Sequence, residues 1–236
     1  MRSYNKITLI LILFPLLFLG QEKSAEKLNA RFVIRTSAGI PKPITSNLFR
    51  KSFNGFYDLG ISFNFRTVGN FYFGIGYQNV FFKNNEYLKR QVYNASIPYD
   101  TRLLSDIPFV ALSYDKFFKS NAYVTYGLSY GYILGKYTNV NEDTSAKNKP
   151  LISNSFSGQY IKPEVSFNFI DKDNTWVSFS VRVSYTTLLY NYDPKAPRFN
   201  HFEINNPDGR TYSNRYYMSW LTVGFGINVL LGRTKE

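Results

Sequence analysis

The chain has 236 residues, 19% of them aromatic (20 Tyr, 22 Phe) and 19% charged, with 28 basic against 16 acidic residues, a net charge of +12 and no cysteine. That length suits one all-β barrel or two small domains, the aromatic content favours strands, and the lack of cysteine excludes disulfide staples, thiol chemistry and a cysteine-linked lipid anchor. The basic excess calls for an anionic counterpart, either nucleic acid or lipid headgroups.

The first residues choose between them. "MRSYNKITLILILFPLLFLG" places Arg2 and Lys6 ahead of an apolar run from Ile7 to Gly20, the layout of a secretory signal peptide over residues 1–20. Fourteen apolar residues containing Pro15 are too few to cross about 30 Å of hydrocarbon as a helix. Removing the segment takes away two basic residues and leaves 26 against 16, a charge of +10. An exported chain meets lipid headgroups and not nucleic acid. Residues 21–236 show no linker and are expected to form one domain.

Period-two alternation and turn residues predict eight strands, in chain order 30–40, 56–66, 71–82, 106–118, 122–134, 158–170, 175–190 and 216–232. The connections alternate in length. Strands two and three, four and five, and six and seven are joined by "TVGN", "KSN" and "DKDN", which suit tight hairpins. The other connections, 41–55, 83–105, 135–157 and 191–215, are long and rich in Asn, Lys, Pro and Asp. Short turns at one end, long loops at the other and strands mostly of ten to thirteen residues, the last two longer, predict an all-β, eight-stranded antiparallel transmembrane β-barrel with short periplasmic turns and long extracellular loops.

The two faces of each strand differ in a way that fits lipid outside and a polar lumen inside. In "TWVSFSVRVSYTTLLY" the apolar set Val177, Phe179, Val181, Val183, Tyr185 alternates with Trp176, Ser178, Ser180, Arg182, Ser184. The last strand sets Leu221, Val223, Phe225, Ile227, Val229 and Leu231 against Trp220, Thr222, Gly224, Gly226 and Asn228. A water-facing side would be rich in Lys and Glu; this one holds Gly, Ser, Thr and Asn. Arg35, Arg66, Asp115, Lys162, Glu164 and Arg182 fall on the polar side and are expected to form a charge-balanced lumen network. A hairpin turning at Lys172–Asn174 would set Glu164 opposite Arg182, Ser166 opposite Ser180 and Asn168 opposite Ser178. Phe81, Phe82, Phe117, Phe118, Tyr216 and Tyr217, near strand ends, are expected to form the interfacial aromatic girdles.

In this architecture the chain resembles the small eight-stranded outer-membrane barrels of Gram-negative bacteria, the OmpA/OmpX-like superfamily, and within it the PorT-like outer-membrane β-barrel group. The resemblance spans Ala30 to Gly232. It implies residence in the bacterial outer membrane, contact with outer-membrane lipid and lipopolysaccharide, and passage through the barrel-insertion machinery. It departs from the usual pattern at the C-terminal end, where "GFGINVLLGRTKE" continues past Phe225.

No motif carries chemistry. His201 stands alone in "RFNHFEINNPDGR", with Glu203 and Ser213 near it at no catalytic spacing. "NEDTSAKN" lacks the carboxylate spacing of a calcium loop, and no cofactor is expected. The basic loop residues Lys42, Arg50, Lys51, Lys83, Lys89, Arg90 and Arg102 are candidates for lipopolysaccharide phosphates. The expected role is therefore non-enzymatic, structural or loop-mediated, binding lipid, a surface partner or a secretion assembly. A lipid-A-modifying enzyme dependent on His201, a porin-like small-solute channel and a soluble lipocalin-like carrier are the alternatives.

Overall fold

A computed structural model describes residues 30–45, 49–50, 53–84, 99–119, 121–141, 150–171, 176–189 and 218–232. The expected signal segment and His201 lie outside the described residues. Eight strands follow one another: β1 (Phe32–Thr45), β2 (Phe53–Arg66), β3 (Phe71–Asn84), β4 (Tyr99–Lys119), β5 (Ala122–Asn141), β6 (Pro150–Ile170), β7 (Val177–Leu188) and β8 (Ser219–Leu231). Each pairs antiparallel with its chain neighbours, and β8 returns to β1 to close the barrel. Closure leaves no sheet edge along the shared length, which a strand protein needs in hydrocarbon because every backbone N–H and C=O must find a partner there.

The short connections form as their residues dictate. Between β2 and β3 the Thr67 amide donates to the Phe71 carbonyl at 2.9 Å and the Phe71 amide to the Val68 carbonyl at 3.0 Å. Gly69 takes a φ of 59°, a left-handed conformation that glycine adopts without a Cβ penalty. The first three long connections are shorter than expected. β4, β5 and β6 run for 21, 20 and 21 residues, so 99–105, 135–141 and 150–157 are strand and not loop. No apolar alternation marks them, since pairing above a membrane requires no apolar face; Tyr99 pairs with Asn141 and Lys136 with Ser155.

The apolar set of every strand faces outward. Leu59, Ile61, Phe63 and Phe65 on β2, Phe179, Val181 and Val183 on β7, and Val223, Phe225 and Ile227 on β8 are all exposed, Phe225 to 70%. A belt of this extent around a whole molecule would not survive in water, which excludes the soluble carrier with inward apolar faces. Outward aromatic pairs mark both ends of the belt. Phe56 and Tyr57 lie 5.5 Å from Phe81 at the long-connection end, and Phe71 lies 4.8 Å from Tyr114 at the hairpin end. Phe81 and the exposed Phe118 belong to these girdles. Phe82 and Phe117 do not: they face the interior, one residue out of phase with their outward neighbours. Tyr216 and Tyr217 lie outside the described residues.

The interior has three levels. At the long-connection end Phe49, Phe53, Val80, Phe82, Leu103, Ile107, Ile133, Tyr160, Leu188 and Trp220 form an apolar layer. At the hairpin end Ala30, Val33, Tyr72, Tyr123, Ile170 and Leu230 form a second. The charged and amide side chains lie between them.

Candidate functional site

The middle level of the lumen is built from side chains that the period-two parity turns inward. Arg35 on β1 reaches across the barrel to β4, where its NH1 donates to Ser113 Oγ at 2.7 Å and its NH2 to both Asp115 oxygens at 3.0 and 3.1 Å. Thr125 on β5 donates its hydroxyl to the same carboxylate at 2.6 Å. On β6, Lys162 donates to Gln78 Oε1 at 2.9 Å and stands 5.2 Å from the Phe109 ring centroid. Glu164 lies between Lys162 and Arg182, 3.8 Å from the ammonium and 3.5 Å from the guanidinium. The level ends toward the long connections at Asp58, which accepts from Gln78 and Thr222, each at 2.6 Å. Toward the hairpins, Asn168 donates to Thr125 Oγ1 at 3.0 Å and Asn228 donates to Asn168 at 2.8 Å. Arg35, Lys162 and Arg182 thus face Asp58, Asp115 and Glu164, three charges of each sign.

Five of the six expected lumen residues meet here: Arg35, Asp115, Lys162, Glu164 and Arg182. Arg66 does not join them. It stands at the hairpin-end rim, where its Nε donates to the Gly69 carbonyl at 2.5 Å. Asp58 and Gln78 belong to the network without having been singled out, although Asp58 shares its parity with Gly60, Ser62 and Asn64 and was legible on that ground.

The pairing of Glu164 with Arg182 comes about differently from the expectation. The β6–β7 turn closes at Asp171 and Val177, wider than a Lys172–Asn174 turn, so the register moves by two residues. Ser166 faces Arg182, Asn168 faces Ser180 and Glu164 faces Ser184. A shift of two preserves which face each side chain takes, and the long arginine covers the diagonal. Arg182 also crosses β8. Its register partner there is Gly224, and with Gly226 beside it no side chain blocks the path to β1, where NH2 donates to the Thr36 carbonyl at 2.9 Å.

Three of the basic candidates for lipid contact are on strands and not in loops, and Arg50 lies in the connection between β1 and β2. Lys42 on β1, Lys83 on β3 and Arg102 on β4 take outward positions near the long-connection end, and Arg50 is exposed after the buried Phe49. Lys51, Lys89 and Arg90 lie outside the described residues. Lys83 and Arg102 are direct cross-strand partners. Lys136, within the expected 135–157 connection, is exposed on β5 opposite Leu104, two positions from Arg102 on the same outward face. Three basic side chains on three adjacent strands therefore form one row above the apolar belt. Below it Tyr77 and Asn79 both donate to Asp106, the latter at 2.7 Å.

A closed eight-stranded antiparallel barrel with an apolar outside and a filled polar inside defines the class: a small outer-membrane β-barrel. No family profile and no curated protein sequence matches the chain. Solved structures similar to it include Neisserial surface protein A, with 13% identity and a TM-score of 0.47, covering 86% of this chain and 98% of the other. OprG from Pseudomonas aeruginosa has 12% identity and a TM-score of 0.47, covering 86% and 97%. The outer membrane protease OmpT from Escherichia coli has 8% identity and a TM-score of 0.43, covering 89% and 99%. The likeness is one of fold alone.

Proposed function

We propose that the protein is a non-enzymatic outer-membrane barrel that binds phosphorylated lipid headgroups, in the first place those of lipopolysaccharide, at the long-connection end of its outer surface. The observation that carries this reading is the row Lys83, Arg102 and Lys136 directly above a girdle of outward aromatic rings and an apolar belt. Acyl chains require the belt, and phosphates at the level where the strands leave the membrane require cations beside it. The filled lumen turns the molecule's chemistry to its surface, which supports a structural or surface-binding role over transport.

The test compares wild type with Lys83→Ser/Arg102→Ser/Lys136→Ser in detergent. Native mass spectrometry should show hexa-acylated lipid A retained by the wild type and lost from the triple variant, with dephosphorylated lipid A bound weakly by both. Equal retention of the phosphorylated lipid by both proteins would defeat the reading.

A further inference from the structure

At the centre of the lumen a chamber of about 40 Å³ lies among Arg35, Lys162, Arg182, Glu164 and a ring of small residues that includes Ser62 and Ser129. Its occupancy can be argued from the accounting of donors and acceptors. Asp115 is committed to Arg35 and Thr125, and Asp58 to Gln78 and Thr222. That leaves Glu164 as the one carboxylate facing two cations, Arg182 and Lys162. Its distances of 3.5 and 3.8 Å are well beyond the 2.7–2.9 Å at which charge-assisted hydrogen bonds close. The cations retain unused donors. Arg35 Nε and Arg182 Nε are buried with no acceptor, and the Lys162 ammonium spends one hydrogen bond on Gln78. Gln78 separates Lys162 from Asp58 and passes polarity between them without cancelling charge.

We propose that this chamber binds one small inorganic monovalent anion, with a halide as the representative ligand, held by the unused N–H groups of Arg35 and Arg182 and by the Lys162 ammonium. Two guanidinium donors and an ammonium supply a site rich in donors and poor in acceptors, the inverse of a cation site. Asp58 brings the lumen as a whole to neutrality only from behind Gln78; at the chamber itself three cations meet Glu164 and the Arg35-bound Asp115, a local excess of one positive charge that a monovalent anion matches and a divalent one reverses. Volume sets the size, since 40 Å³ admits about three waters or one monatomic ion with a water. Apolar layers lie above and below the chamber, at the two ends of the lumen.

Protein refolded in sodium bromide and crystallised without exchange should give one anomalous bromide peak among Arg35, Lys162 and Arg182. Refolding in chloride or bromide should raise the thermal midpoint above that in sodium gluconate at equal ionic strength, saturating with halide as mass action requires. Lys162→Gln and Arg182→Gln should each abolish that halide-specific increment, and Arg182→Lys should keep part of it. Water density with no anomalous signal in the wild-type chamber would overturn the proposal, whatever the variants do. So would a stability that follows ionic strength alone, or an increment retained by both Gln variants.

Discussion

Arg182 shows how one side chain in this lumen depends on its neighbours. It touches Glu164 on β6, lies over Gly224 and Gly226 on β8 and donates to Thr36 on β1, so it ties four strands together. Removing its carboxylate partner leaves a partly desolvated cation, a change that costs about 3–5 kcal/mol at full burial. Glu164 is still 17% exposed, so Glu164→Gln should cost less than that. The Glu164→Gln/Arg182→Gln double variant should lose less than the two single losses together, by about 0.5–3 kcal/mol, because neither charge is then unpartnered. Urea unfolding in detergent followed by tryptophan fluorescence measures this, and additive losses would show that the two groups do not couple. The glycine floor gives a second prediction. A Cβ at Gly226 would meet the Thr36 carbonyl directly and lie 2.8 Å from Arg182 NH2. Gly226→Ala should therefore destabilise the barrel by about 1–3 kcal/mol, as overpacking does, and displace the Arg182–Thr36 hydrogen bond.

At the scale of elements the β6–β7 hairpin is the informative one. Its partners Ser166–Arg182 and Asn168–Ser180 follow from a turn that spans Asp171 to Val177. Direct antiparallel partners bring their Cα atoms to about 4.5–5.5 Å, whereas a two-residue slip removes them from that range. Nuclear Overhauser contacts in detergent micelles should therefore join the backbone protons of 166 with 182 and 168 with 180. Contacts joining 166 with 180 and 168 with 178 would instead establish the tighter turn. The slip has little consequence for which side chains face lipid, and a large one for which inward groups stand level with each other.

For the whole molecule, the arrangement of levels decides whether the barrel conducts. Eight strands enclose an interior just wide enough for side chains to fill, while water-filled pores use sixteen or more. Here the filling is complete in kind: a neutral set of three cations and three carboxylates between two apolar layers. An ion crossing the lumen would have to leave water at Trp220 and Phe82, break the Arg182–Glu164–Lys162 group and leave water again at Tyr72 and Tyr123. Little or no steady conductance is expected in planar bilayers, and stable single-channel currents from the wild type would refute the filled lumen. The outward belt makes a second whole-molecule expectation: the protein fractionates with outer membranes and runs on gels with a heat-modifiable mobility, and recovery as a soluble periplasmic monomer would contradict it.

The sequence by itself determined the strand count, the alternation of short and long connections and the side each residue takes, because a strand repeats every two residues and the two sides meet different solvents. Leu221 to Leu231 against Thr222 to Asn228 reads as lipid against lumen with no knowledge of any partner strand. Asp58 could have been read the same way. Phe82 shares its parity with the inward Gln78 and Phe117 with the inward Asp115, so their facing was legible too; placing them in the interfacial girdles followed the residue type at a strand end and overlooked the alternation. What only the tertiary structure decided are distances between strands. The turn after β6 could lengthen by two residues without changing any residue's face, so parity could not reveal that Glu164 meets Arg182 along a diagonal. The row of Lys83, Arg102 and Lys136 was likewise hidden, because above the membrane both faces of a strand meet water and hydrophobic alternation stops marking strand from loop. Closure of the barrel supplied the missing information by fixing which inward groups share a level and leaving a few donors among them without acceptors.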